Sequence, residues 1–327
     1  MRVADPTVYR NTLSWVQNDR EDLVRAQEQL STGKQLSRPS DDPVGYARVL
    51  GYRESMDFYQ QAGAQIERAI SVQTAMDQSL AQVQQLILKA RDIATQELQG
   101  VEDPRRTQVN LRALDEIMRG LLDAANTSIA GKYVFAGFKN QSPPFNSTVQ
   151  PVRTEQGYLQ FEGAVEYAGD GNSMELEVLP GIYAEISLPG SAVFGGAESQ
   201  KGVNLFALMQ DLMNAIAYPD RRVIGGPGVS NKERIKNTAL YLNTAYNQVA
   251  TFRAQMGVGA QSLQNTKTWL DELNLNTNNL RALTENGDVE VQSPLKLDQS
   301  RRALEATFAS LNTVLQPSVI KLAQASS

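Results

Sequence analysis

Residues 29–45 read Gln29-Leu30-Ser31-Thr32-Gly33-Lys34-Gln35-Leu36-Ser37-Arg38-Pro39-Ser40-Asp41-Asp42-Pro43-Val44-Gly45. Gly33 is a helix stop, because glycine enters the left-handed conformation that closes a helix without strain from a Cβ. Pro39 and Pro43 hold the residues before them in extended backbone, which makes the stretch after Gly33 a connector. Asp41 or Asp42 can then accept the first N–H groups of the next element. Ser40 and Gly45 flank that start. One helix must end at this joint and another element must begin just beyond it.

Working toward the N-terminus, Leu13, Val16, Arg20, Leu23, Gln27 and Leu30 follow one another at three-four spacing with no internal glycine or proline. That is a heptad seam with two polar positions, and it predicts one helix stopped near Gly33. Toward the C-terminus, Leu80, Val83, Ile87, Ala90 and Ala94 share a face of a helix expected to begin after Gly63 and to end at Gly100 and Pro104. Leu111, Leu114, Met118, Leu121, Leu122, Ala125 and Ile129 mark a third helix expected to run up to Gly131.

The period then changes. Five prolines and many glycines between Gly137 and Gly202 exclude long helices. Met174, Leu176 and Val178 alternate with Glu175 and Glu177, and Ile182, Ala184, Ile186 and Leu188 alternate likewise, which predicts strands. Helical period returns at Leu205, Leu208, Leu212 and Ile216, and again from Ile235 through Leu283 with Gly257 and Gly259 in its middle. Ser293 and Pro294 are placed as an N-cap and first helical residue after a loop at 285–291. The last helix carries Leu297, Arg301, Leu304, Phe308, Leu311 and Leu315.

The fold class expected is mainly α, with long coiled-coil-like helices from both chain ends and an inserted small antiparallel β domain. The expected division is a terminal helix pair (1–36 with 288–327), a helical rod (37–136 with 203–287) and the β insertion (137–202). The insertion is expected to be self-contained, so that a short linker in place of 142–197 leaves the helical part folded. The two terminal helices offer narrow seams with little in their own segments to bury them. Leu13, Val16, Leu23 and Leu30, with Leu304, Phe308, Leu311 and Leu315, are therefore the candidate subunit-interface residues, to be covered by further copies of the chain.

Across 327 residues, 31 Lys+Arg stand against 36 Asp+Glu, giving a formal charge of -5 at pH 7. No positive field exists to hold nucleic acid or an anionic membrane, so neither is an expected partner. The chain contains no Cys and no His. That removes disulfides, thiol nucleophiles, Cys/His zinc sites and His-based catalytic arrangements. The carboxylates of the β segment, Glu155, Glu162, Glu166, Asp170, Glu175, Glu177 and Glu185, form no acid/base signature, so no enzyme, metal or cofactor is expected. Ser31-Thr32-Gly33-Lys34 lacks the glycines and the preceding strand of a phosphate-binding loop. No apolar run approaches a membrane span or a signal-peptide core, and no cleaved signal is expected.

The joint at 29–45 resembles the signature that ends the first helix of bacterial flagellins and their hook-associated relatives, with Gly33, Pro39, Ser40, Asp41, Asp42, Pro43 and Gly45 as the signature residues. Arg253-Ala254-Gln255-Met256-Gly257-Val258-Gly259-Ala260-Gln261-Ser262-Leu263 resembles a segment of the long C-terminal helix of that family, and 300–315 its terminal helix. Gly131-Lys132-Tyr133-Val134-Phe135-Ala136-Gly137-Phe138 with Pro143-Pro144-Phe145 is similar to the start of the insertion in the hook-associated branch, a pattern that filament flagellin does not usually carry. The resemblance implies a structural protein at the junction between the flagellar hook and filament, with filament flagellin as the alternative. It implies secretion through the flagellar export apparatus without signal cleavage. Its implied partners are copies of itself, hook-associated protein 1, flagellin, and an export chaperone on the C-terminal helix.

Overall fold

The computed structural model describes residues 5–100, 103–155, 159–179, 181–195, 202–217 and 230–325. Three helices open the chain: α1 (Asp5–Thr32), α2 (Pro43–Gln99) and α3 (Pro104–Ala125). Short strands follow: β1 (Ser128–Ile129), β2 (Lys132–Tyr133), β3 (Phe145–Ser147), β4 (Gln150–Arg153), β5 (Leu159–Glu162), β6 (Val165–Tyr167), β7 (Glu175–Leu179) and β8 (Ile182–Glu185). The chain then returns to helix in α4 (Gly190–Phe194), α5 (Leu205–Ala217), α6 (Asn231–Asn286) and α7 (Val289–Ala325). The mainly α class with an antiparallel insertion is as the periodicity predicts.

Three boundaries differ from expectation. α3 ends at Ala125 with Asn126 as its C-cap, and Ile129, expected on its face, lies in β1 instead. α2 begins at Pro43, not after Gly63, and runs through Gly45, Gly51 and Gly63. A glycine costs a helix interior about 1 kcal/mol, and flanking tertiary contacts outweigh that. α7 begins at Val289, so Ser293 and Pro294 lie inside it. Asp288 supplies the first carbonyl instead, accepting from Gln292 N–H at 2.8 Å. The short helix α4 was also unmarked, since five residues are too few to show a period.

The strands pair antiparallel as β1–β2, β3–β6, β4–β5 and β7–β8. β3–β6 and β4–β5 share one register, with Phe145 opposite Tyr167 and Gln150 opposite Glu162. They therefore form a single two-stranded ribbon, and Thr148 N–H to Ala164 carbonyl at 3.0 Å carries the ladder across the gap.

The chain divides into two compact units, Gln61–Leu270 and Met1–Gln60 with Asp271–Ser327. The larger unit holds the core. Leu80, Val83 and Ile87 of α2, Leu114 and Leu121 of α3, Leu212 of α5 and Leu242 of α6 belong to one buried cluster. The β segment is part of it. Phe145 and Phe194 are fully buried, with ring centroids 5.3 Å apart, and Phe194 meets Phe135 edge-on at 5.2 Å. Asn126 Nδ2 donates to the Phe145 carbonyl and its Oδ1 accepts the Phe145 N–H, tying the strand to the end of α3. Tyr167 closes the same corner, its hydroxyl 2.9 Å from the Phe135 carbonyl and 2.7 Å from that of Asp170. Burial there pushes its pKa up to about 12. The aromatic side chains of the β segment thus belong to the same buried cluster as the helices.

Candidate functional site

The smaller unit is built around the joint at 29–45. Gly33, at φ +68, closes α1, its N–H donating to the Gln29 carbonyl at 2.9 Å. Asp41 Oδ2 then accepts the N–H groups of Ser37 and Arg38 at 3.1 and 2.9 Å, which rounds the connector into a turn. Asp42 Oδ1 accepts Val44 N–H at 3.0 Å and caps α2, with Pro43 at its first position. The two aspartates divide the work that either alone was expected to do. A Cβ at Gly45 would stand 2.6 Å from Asp42 Oδ2 and 2.9 Å from Leu36 Cδ1, so this position admits no larger residue without rearrangement. Pro39 and Ser40 lie exposed on the outside of the turn.

Opposite the joint stands Glu285, near the end of α6 and 3% exposed. Its carbonyl accepts the N–H groups of Gln35 and Leu36 at 2.8 and 3.0 Å. Its carboxylate meets Lys34 Nζ at 2.9 Å and Arg53 at 2.8 Å, with Arg281 at 3.8 Å on the other oxygen. Burial alone would raise this carboxyl, but the hydrogen bond from Lys34 and the charges of Lys34, Arg53 and Arg281 outweigh it and hold the pKa below the ordinary value of 4.5. One residue therefore ties the α1–α2 joint to the turn between α6 and α7. The Ser31–Lys34 stretch has a structural role here, and Lys34 is its charged anchor.

Beyond this clamp α1 and α7 pack along each other, antiparallel, since Gln35 and Leu36 bond to Glu285 at one end and Asp19 meets Thr307 further along. The positions of α1 turned inward are Thr12, Val16, Asp19, Leu23 and Ala26, and those of α7 are Ser293, Leu297, Ser300, Leu304 and Thr307. Both series follow four-three spacing, but they are rich in small and polar residues. Of the sequence candidates, Val16, Leu23 and Leu304 sit half-buried on these faces, whereas Leu13, Leu30 and Phe308 are exposed. Leu311 and Leu315 lie outside the residues whose side chains are described.

Among the described residues, most of the large apolar side chains of these two helices thus stand outside their mutual seam. Trp15 is 59% exposed, Phe308 50% and Leu295 64%, and Val24 and Val291 are open as well. Sequence periodicity missed this division because it follows apolar residues, and the inward series is marked only by small residues one position away. In the whole smaller unit, Ala26, Leu36, Val49 and Val289 are the fully buried apolar side chains among the described residues. That is little apolar burial for helices of this length.

Among the described residues no group of His, Cys, Asp and Glu could hold a metal ion, and no helix is long and apolar enough to cross a membrane. Asp103 caps α3 by accepting Arg105 N–H at 3.0 Å.

A family model described as the bacterial flagellin N-terminal helical region matches residues 5–140. The chain is 26% identical to flagellar hook-associated protein 3 of Salmonella typhimurium over 80% of its own length and 81% of the relative's. It is 25% identical to flagellar hook-associated protein 3 of Escherichia coli strain K12 over 97% and 95% of the two chains. Its fold is similar to the solved structure of Bacillus cereus FlgL, with a TM-score of 0.54 at 17% identity, covering 71% of this chain and 99% of that one.

Proposed function

We infer that this chain, which belongs to the bacterial flagellin family in its hook-associated branch, is a structural protein of the flagellar hook–filament junction. The observation that carries the role is the terminal helix pair. It presents Trp15, Leu295 and Phe308 to solvent while, among the described residues, burying almost no apolar side chains of its own, as expected of helices that complete their packing only in an assembly. A filament flagellin would show the same pair. The junction role is favoured over it by the Tyr133–Phe145 segment and by the near full-length likeness to two hook-associated relatives.

The partners follow from that position: other copies of the chain, hook-associated protein 1 on the hook side and flagellin on the filament side. The C-terminal helix, with its exposed apolar residues, is the part that an export chaperone would mask before secretion without signal cleavage. The terminal segments 1–36 and 288–327 are the assembling part, and Leu13, Leu30 and Phe308 lie on the side left open for neighbours. Deleting the gene should leave cells with complete hooks that shed flagellin into the medium. Cells that keep filaments after the deletion would refute the junction role, and hookless cells would place the protein elsewhere in the structure.

A further inference from the structure

The outer face of α6 between Leu240 and Trp269 carries no charge. Thr244, Thr251, Val258 and Asn265 follow one another on it at intervals of seven and all are exposed, with Val258 72% open to solvent and Leu240 and Trp269 at the two ends of the stripe. Two charged side chains occur between Asn237 and Leu270, and both are paired with α2. Arg253 donates to both carboxylate oxygens of Asp77 at 2.8 and 3.1 Å, and Lys267 meets Glu67. A helix face that stays in water ordinarily carries lysine, glutamate and arginine. Charge depletion at heptad spacing is instead the composition of a surface that becomes desolvated against another helix.

α2 carries a second surface of the same kind. Ser71, Thr74, Gln78, Gln82 and Gln85 are exposed, and between Arg68 and Lys89 the charged residue is Asp77, already held by Arg253. Both stripes lie within the Gln61–Leu270 unit.

We propose that the charge-free stripe of α6 docks on the charge-free stripe of α2 in a second copy of this chain and forms a lateral contact of the assembled layer. The proposal rests on the junction role above. A partner with charged side chains would leave them desolvated against Thr, Val and Asn with no counter-charge, at a penalty such a surface cannot return. Amide and hydroxyl groups both donate and accept, so the glutamines, serine and threonine of α2 match the threonines and asparagine of α6 without any charge. The two stripes are different patches, so the contact is head-to-tail and repeats from copy to copy into a ring or helical layer instead of closing as a dimer.

The absence of cysteine from the chain makes the contact directly readable. Cells should carry Gln78→Cys, Val258→Cys or both in place of the natural chain, and their isolated hook–filament structures should be treated with a short bis-maleimide. A ladder of multimers of this chain is expected from the double variant and none from either single variant. Dimers from Val258→Cys alone would mean that α6 meets α6, and adducts with a different flagellar protein would mean another occupant; each overturns the proposal, as does a double variant that stays monomeric. Val258→Glu should melt at the wild-type temperature as isolated protein and reduce filament retention at least tenfold. Retention kept by these variants but lost on gene deletion would remove the contact and leave the junction role standing. Retention kept after the deletion itself would remove both.

Discussion

Thr307 of α7 donates a 2.6 Å hydrogen bond to Oδ2 of Asp19 in α1, joining residues 288 positions apart in the chain. The same hydroxyl lies 2.9 Å from the Ala303 carbonyl of its own helix, so its single proton is shared between a local and a distant acceptor. Neither residue is a large apolar one, yet both lie on the inward stripes. A polar pair in a narrow helical seam fixes which turn of one helix faces which turn of the other, because any slip leaves the carboxylate without its donor.

Thr307→Val preserves the side chain's shape and removes that donor. A loss of about 1 kcal/mol is expected for the half-buried pair, with a coupling of about 0.5–1 kcal/mol in a double-mutant cycle with Asp19→Ala. The cycle is read by urea denaturation of the isolated protein. Strictly additive effects would mean that the pair contributes nothing to the seam.

Glu285 should make the smaller unit sensitive to acid. Its folded-state pKa is depressed, so its contribution to stability is complete above the ordinary value of 4.5 and is lost as the pH falls through the lower folded value. Glu285→Gln should cost about 1–3 kcal/mol at pH 7, discounted toward the lower end because the Lys34 and Arg53 side chains are 46% and 42% exposed. The gap between the variant and the natural chain should narrow as the pH falls below 4.5. A gap that is equal at pH 3 and pH 7 would show that the carboxylate's charge is not what matters.

Phe308→Asp places a charge on a side chain that is half exposed in the single chain. The isolated protein should melt within about 0.5 kcal/mol of the natural one, the range of surface substitutions. In the assembly the same charge is desolvated without a partner in every copy, so secretion should persist while filaments are lost from the hook. A strain that swims with full-length filaments would take Phe308 out of the interface. Early melting of the monomer would mean that the ring packs on its own unit.

Phe194→Ala should cost about 3–5 kcal/mol, since the ring is fully buried against Phe135 and Phe145 and its loss leaves a cavity that rigid neighbours cannot fill. Replacing 142–197 with a Gly/Ser linker removes both Phe145 and Phe194 and should broaden or abolish the cooperative thermal transition of the helical core. A linker variant with a sharp, unshifted transition would restore the β segment to a self-contained insertion.

Sequence alone determined what depends on local backbone chemistry. Gly33 ends α1, an aspartate of the 41–42 pair caps the element after the joint, the period-two segments after Gly171 form β7 and β8, and the lack of Cys and His excludes whole classes of site, because each follows from one residue's own conformational and chemical limits. Tertiary structure decided what depends on residues far apart in the chain. Periodicity puts Leu13, Leu30 and Phe308 on a seam, but the packed helices turn Thr12, Asp19, Ser293 and Thr307 inward and leave those larger side chains outside. Close approach of two helices favours small residues, and only the facing helix reveals which stripe is approached. The same holds for Glu285, whose carboxylate at the end of a helix is unremarkable until the fold brings Lys34 and Arg53 to it. It holds for Phe145 and Phe194 too, which look like loop residues between prolines and become core only when α3 and α5 close over them.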